Sequence, residues 1–278
     1  MLIRALVKGG FEVALTASKQ GLRTMCCRLD ICMRNILLTG GSGQIGRVFY
    51  KAWQGQYCMT LCDRVAPDFD LVDGDRFVEA DLSDASTAPR LVAAQDTVIH
   101  LAGIPDPNAS FDALLPANIL ATTYLLEAAS KAGVRRFVFA SSAQAVEGYP
   151  LDCQVVDGAA PRPANLYGVT KAYGEALCAF HAQQGEMSCV ALRIGAFERE
   201  GSSAVTTARD LSAWLSHRDG ASLFERAIEA EFDGSFIAHG TSDNRFKRMD
   251  LSETKRVLQY DPKDDAFDVF EAQRLLKL

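Results

Sequence analysis

The chain contains no apolar stretch of the roughly 18–20 residues that a bilayer-crossing helix needs, so no membrane span is expected. It also lacks a basic excess. A net charge of −6 leaves no general attraction to a phosphate backbone, which argues against a nucleic-acid partner. Its eight cysteines form no Cys-x-x-Cys set, and none of the four histidines stands at finger-like spacing from them. A metal site is therefore not expected, and free thiols in a cytoplasmic protein are the plain reading. Internal repeats, low-complexity tracts and long runs of like charge are missing too. What remains, at 278 residues with 48% hydrophobic and 23% charged, is the material of an ordinary globular chain with one large core.

The first 33 residues differ from the rest. Arg4, Lys8, Lys19, Arg23 and Arg28 stand against only Glu12 and Asp30, and three cysteines lie near the end. No long apolar centre or small-residue cleavage site marks a secretory signal. Two readings stay open, a basic organelle-targeting presequence and a start set too early, with the working protein beginning near Met33. The second is preferred, and residues 1–33 are set aside as an atypical extension.

From residue 34 strand-like and helix-like segments alternate, the pattern of a parallel sheet covered on both faces. Strands are expected at Asn35–Thr39, Tyr57–Cys62, Arg76–Ala80, Thr97–Leu101, Val134–Ala140 and Ser188–Ile194. The intervening helices are expected at about Gln44–Gln54, from a cap at Asp84 to Val92, at Leu115–Lys131, and at the segment carrying Tyr167. The fold class is thus α/β, a Rossmann-type doubly wound parallel sheet over residues 34–195. Residues 196–278 are expected to form a small C-terminal substrate lobe with helices at Thr207–Ser216, Gly220–Phe232 and Leu251–Val257.

Two motifs carry the chemistry. Gly40-x-x-Gly43-x-x-Gly46 directly follows a strand and opens a helix, the context in which glycines and a helix N-terminus receive a dinucleotide pyrophosphate. A plain glycine turn is the alternative. Asp63, at the end of the second strand, suits the adenosine ribose hydroxyls and favours NAD over NADP, although Arg64 beside it works the other way. Asp81 and Leu82 after the third strand could hold the adenine; a surface aspartate is the duller reading of Asp81. Downstream, Tyr167 and Lys171 share one helix face at i, i+4. A free tyrosine is a poor base at neutral pH, and an adjacent ammonium lowers its proton affinity. Ser142, at a strand end, could bond the same substrate oxygen. Tyr-x-x-x-Lys is common on surface helices, so its weight comes from following Ser141-Ser142 in such a fold. His100 reads as a core histidine. His217 reads equally as packing or a lobe contact, and Arg209 as a solvated charge or a two-pronged clamp for a carboxylate.

These motifs, with Val98-Ile99-His100-Leu101-Ala102-Gly103, Asn118 and Leu125-Leu126-Glu127-Ala128-Ala129, resemble the extended short-chain dehydrogenase/reductase superfamily. Arg162-Pro163, Leu166-Tyr167-Gly168, Arg193-Ile194-Gly195, Leu211-Ser212-x-Trp214-x-Ser216-His217 and Pro262-Lys263-Asp264 further resemble uronate dehydrogenases, which oxidise C1 of a cyclic hexuronic acid to an aldarolactone with NAD. The resemblance implies Tyr167 as base, Lys171 as its partner that also binds ribose, and Ser142 and Asn118 as the rest of the catalytic set. It implies Gln44, Ile45, Leu101, Ala102, Gly103 and Phe197 at the cofactor. It implies Ser142, Ala143, Gln144 and Arg209 at a sugar or sugar-acid substrate, with Arg209 gripping the carboxylate. It also implies pairing of subunits through the helices of Asn118 and Tyr167, into a homodimer or a higher homo-oligomer. The chain departs from that pattern at Ala143-Gln144, where Asn-His is usual, at Pro105 and Ala196, where serines are usual, and in a longer loop from Ala196 to Arg209. A sugar epimerase or dehydratase that retains its NAD, or a non-catalytic NAD sensor, would share the same motifs.

Overall fold

The computed structural model describes residues 2–7, 11–16, 33–197, 205 and 207–275. Strands β1 (Leu2–Val7) and β2 (Phe11–Thr16) pair antiparallel as a separate two-stranded sheet. Cys26, Cys27 and Cys32, and most of the basic extension, lie outside the described residues. The main sheet is built from β3 (Asn35–Thr39), β4 (Cys58–Asp63), β5 (Arg76–Glu79), β6 (Thr97–His100), β7 (Arg136–Ser142), β8 (Ser188–Ile194) and β9 (Ser235–Gly240). All seven run parallel, in the order β5-β4-β3-β6-β7-β8-β9. The order reverses between β3 and β6, and in such sheets the crevice at the strand ends there receives ligands.

Successive side chains on a strand face opposite sides, and here both sides are covered. Ile36, Leu38, Val138, Val190 and Leu192 pack into one apolar cluster with Phe49, Trp53, Leu223 and Phe224. Leu37, Phe137, Phe139, Cys189 and Ala191 pack into the other with Leu125, Leu126 and Cys178. The first cluster seats α1 (Gln44–Trp53) against α7 (His217–Glu229), where the Phe49 and Phe224 rings lie 4.6 Å apart. The second seats α4 (Ala121–Lys131) and α5 (Leu166–Gln184). Helix α5 comes close to the sheet because Gly174 faces the Phe139 ring; a Cβ there would lie 2.3 Å from that ring.

Several elements differ from the sequence expectation, for local reasons. Asp84 does not cap α2 (Ala88–Val92): its Oδ1 accepts from the Ser86 N–H within a preceding turn, and Thr87 occupies the cap position. The helix expected from Leu115 begins earlier, as α3 (Phe111–Leu114), and passes through a wide π turn at Leu115–Leu120 before α4. Pro116 has no N–H to continue the α ladder, and Ala121 donates instead to the Pro116 carbonyl. Thr122 and Thr123 return hydroxyl bonds to the Asn118 and Ile119 carbonyls, 2.7 Å each. After β8 the chain supplies a strand where only helices were expected: β9 adds to the sheet from within the segment assigned to the lobe. The helices after residue 196 are α6 (Ala208–Ala213), α7, α8 (Ser252–Leu258) and α9 (Ala266–Leu275), the last unanticipated, and α7 covers the main sheet. Among the described residues no helix is long and apolar enough to cross a membrane. Cys62, Cys153, Cys178 and Cys189 are free thiols.

Two polar arrangements sit inside this apolar frame. Arg193 of β8 meets Glu175 of α5 in two parallel bonds of 2.8 and 2.9 Å, with both side chains at most 2% exposed. Removing one member leaves the other charge buried and unpaired, which costs about 3–5 kcal/mol. An Arg193→Met variant should lose stability on that scale in urea titrations. The His100 ring is also buried, between the Thr39 hydroxyl at 2.8 Å and the Thr122 hydroxyl at 3.0 Å. Burial, helped by the Lys171 charge, lowers its pKa to about 3. Between that value and the ordinary histidine range the unfolded chain binds a proton that the folded chain refuses, so acid favours unfolding. This group alone should cost about 2 kcal/mol of stability on going from pH 7 to pH 5. A His100→Gln variant, compared with the parent by urea unfolding at the two pH values, should lack that portion of the decline.

Candidate active site

At the C-terminal ends of β3, β4, β6, β7 and β8 the chain leaves a cavity of about 970 Å³. Of the residues singled out from the sequence, Gly40, Gly43, Gln44, Ile45, Gly46, Asp63, Asp81, Leu82, Leu101, Ala102, Gly103, Ser142, Ala143, Gln144, Tyr167, Lys171, Phe197 and Arg209 line it. Asn118 is not among the lining residues. Residues drawn from eight parts of the chain therefore converge on one space.

The end formed by the glycine turn fits a dinucleotide diphosphate. Gly40 takes φ +71°, and a Cβ there would stand 2.7 Å from the Ala102 nitrogen, so the loops after β3 and β6 can only meet over glycine. A Cβ on Gly46 would stand 2.4 Å from the Gly40 carbonyl oxygen, which explains the close seating of α1 on the turn. Gly43 precedes α1, whose first turn has no side-chain cap and no acidic residue. Its first N–H groups and the positive end of its dipole are thereby left to an anion. Asp63 is held in place by the Ser42 N–H, 3.1 Å, and the Arg64 N–H, 2.7 Å. Asp81 accepts from the Ser83 N–H and hydroxyl at 2.9 and 2.8 Å, and these bonds keep its carboxyl below the usual range. Gln44 Nε2 donates to the Phe197 carbonyl at 3.0 Å across the cavity, and the Phe197 ring stacks on His217, centroids 4.7 Å apart. His217 thus packs at the lobe edge of the site.

The residues expected to carry the chemistry meet where β7 ends beside α5. Asn165 caps α5, its side chain accepting from the Gly168 N–H at 2.8 Å, and so fixes the first turn that carries Tyr167. Ser142 lies at the end of β7, and its hydroxyl accepts from the Gln144 N–H at 3.2 Å. Lys171 is buried; its Nζ donates to the Ala140 carbonyl at 2.7 Å and lies 5.6 Å from the centre of the Tyr167 ring. Burial lowers the Lys171 pKa to about 8, against the opposing pull of Glu175 one turn further on. Tyr167 departs from the expectation of a lowered phenol pKa. Burial raises it, and only the hydrogen bond with Ser142 acts downward. A phenol kept out of water resists ionising, and an ammonium already bonded to a carbonyl offers it limited relief.

Asn118 works from behind the cavity wall. Its Oδ1 accepts from the Ile104 N–H at 2.8 Å, and its Nδ2 donates to the Ile104 carbonyl and to the Thr170 hydroxyl at 3.2 and 3.0 Å. It ties the loop after β6 to the helix of Tyr167, and it sits in the π turn, an element often found at functional sites.

Arg209 is not a free cation. Glu147 takes its Nε at 2.9 Å and its Nη2 at 2.5 Å, and Asp210 accepts from Nη1 at 3.4 Å. Burial works against that charge, but the bonds and charges of Glu147 and Asp210 prevail and raise its pKa. Glu147, Thr170 and Glu175 escaped the sequence reading. Glu175 could have been found, since it continues the Tyr167, Lys171 spacing by four more residues on the same helix face. Glu147 has no such signal, because its partner is 62 residues away.

The comparisons agree with this geometry. Residues 36–217 match the model of the NAD dependent epimerase/dehydratase family. An NAD-dependent glucose-6-phosphate dehydrogenase of Haloferax volcanii is 35% identical over 86% of this chain and 97% of its own length. A uronate dehydrogenase of Pseudomonas syringae pv. tomato is 31% identical over 86% of this chain and 84% of its own. The crystal structure of uronate dehydrogenase from Agrobacterium tumefaciens superposes with a TM-score of 0.78 at 32% identity, covering 87% of this chain and 88% of that one. A glycine turn, a tyrosine and lysine one helical turn apart and a strand-end serine, all facing one crevice of a parallel sheet, thus go with a matching family model, and the chain belongs to the NAD dependent epimerase/dehydratase family.

Proposed function

We propose that the chain is an NAD-dependent oxidoreductase that oxidises the C1 hydroxyl of a cyclic sugar or sugar acid to a lactone. The observation that carries this reading is the meeting of Tyr167, Ser142 and Lys171 in the cavity that also holds the glycine turn. The named relatives, sugar and uronate dehydrogenases, support the same direction. NAD bound along Gly40–Gly46, Asp63 and Lys171 would accept the hydride that leaves C1 with its electron pair. Tyr167, ionised beforehand by giving its own proton to solvent, takes as phenolate the proton from the C1 hydroxyl while the C1–O bond becomes a carbonyl. Ser142 holds that oxygen beside the phenol. Lys171 steadies the negative charge on the phenol oxygen, and its burial against Ala140 keeps the amine from swinging away. Asn118 positions the loop after β6 relative to Tyr167 through Ile104 and Thr170.

A Tyr167→Phe variant should lower kcat by about 10²–10⁴-fold while NAD binding is retained, as expected when a general base is removed from an intact site. Formation of reduced cofactor, followed by absorbance with a panel of sugars, measures it; unchanged turnover would remove Tyr167 from the role. A sugar product isomeric with its substrate, without net reduced cofactor, would point instead to epimerisation. Asp63 carries the preference for NAD, because a 2′-phosphate would meet its carboxylate. Asp63→Ser should raise kcat/KM with NADP relative to NAD by about tenfold or more, read in the same assay.

A further inference from the structure

Among the described residues, three charged side chains meet around Arg209 at the substrate end of the cavity. Arg209 reaches the cavity lining, with its side chain 21% exposed, and Glu147 holds it from behind in two parallel bonds. Asp210 closes on the remaining terminal nitrogen, and the Thr207 hydroxyl steadies that carboxylate with a bond of 2.6 Å. One guanidinium therefore answers two carboxylates, and the group as a whole is negative.

Both ends of the pair are fixed by their backbone. Glu147 closes the short 3₁₀ turn Ala143–Val146 that continues directly from Ser142, and the next residue, Gly148, donates to the Arg162 carbonyl at 2.7 Å. Arg209 lies in the first turn of α6, whose cap Thr207 accepts from the Asp210 N–H. A planar fork met by a carboxylate in two parallel bonds is among the stronger pairings a protein makes. A carboxylate or phosphate on the substrate could take the Nε–Nη2 edge of the guanidinium only by displacing Glu147, which would leave that carboxylate unpaired in a partly buried place. At the outward N–H groups it would meet a group whose two carboxylates already outweigh the one guanidinium. Sugar hydroxyls face no such conflict: they can donate to the outer lone pairs of Asp210, which lines the cavity, and accept from the outward guanidinium N–H groups while the pair with Glu147 stays closed.

We propose that Glu147 withholds Arg209 from acidic substrates, so that the sugar oxidised here is an uncharged aldose rather than a hexuronate or a sugar phosphate. This rests on the dehydrogenase reading above and makes Glu147 the specificity-determining residue of the site.

Matched substrates that differ only in charge test it. D-glucose is compared with D-glucuronate and D-glucose 6-phosphate, and D-galactose with D-galacturonate, by kcat/KM with NAD. Glucuronate binding is measured separately by calorimetry. The parent protein should favour each neutral sugar over its charged counterparts by about tenfold or more. In Glu147→Gln the ratio of hexuronate to aldose kcat/KM should rise by at least about tenfold, and glucuronate should bind more tightly by a similar factor. A thermal melt and NAD binding show that the variant is folded. A parent that prefers the charged sugars, or a folded variant with an unchanged ratio and unchanged glucuronate binding, overturns the proposal. If no sugar is turned over by the parent, the dehydrogenase reading falls, and calorimetry on the parent and the variant still decides whether Glu147 excludes the acid.

Discussion

Beneath the site, a guanidinium and a carboxylate from two different elements are shut away from water, and the geometry above them follows from that closure. Arg193 comes from the strand next to β7, and Glu175 comes from the helix of Tyr167 and Lys171. Glu175 also accepts the Ser141 hydroxyl at 2.6 Å, and Arg193 reaches the Ala159 carbonyl at 3.0 Å. One pair thus joins β8, α5, the end of β7 and the loop that returns toward Tyr167. Ion pairs this deeply buried contribute little net stability compared with well-packed apolar residues, but they tolerate only one arrangement of their partners. The gain here is placement. Ser142 follows Ser141 directly, and Lys171 is one turn before Glu175, so both are located by the same anchor.

Much of the fold could be read from the sequence because its cause is local. Glycines at Gly40, Gly43 and Gly46 answer to a tight turn and close packing. The unbroken apolar run Ile36, Leu37 and Leu38, fully buried on alternate faces, answers to a sheet covered on both sides. Strand β9 was missed because Ser235–Gly240 is short and mixed in polarity, with Ser235 exposed and His239 buried, so pattern alone does not announce it. It becomes a strand by pairing along β8, a tertiary effect. The wide turn at Leu115–Leu120 has a local trigger in Pro116, yet the form of the irregularity depends on the threonine hydroxyls that take up the loosened carbonyls.

The site divides in the same way. Residues proposed to share one chemistry, such as Tyr167 and Lys171, sit at short fixed spacing and stand out in one dimension. Residues that set the local field do not. The resemblance to uronate dehydrogenases makes Arg209 a carboxylate clamp, and that role depends on what else surrounds the guanidinium. Glu147, brought in by an unrelated turn, takes the whole group from neutral to negative. The same holds for Tyr167: proximity to Lys171 suggests an easily ionised phenol, whereas burial of both groups pulls each toward its neutral form.

The wide turn that carries Asn118 also constrains how this helix can vary in length. A π turn holds one residue more than regular coiling over the same rise, and each residue advances the helix by about 100°. Deleting a single residue between Leu115 and Leu120 would let the segment relax into ordinary α geometry and swing the amide of Asn118 off the Ile104 backbone. In a protein with a straight helix at this place, a different position along the chain would have to supply that amide. Register across this stretch is therefore a matter of insertion and deletion as much as of substitution.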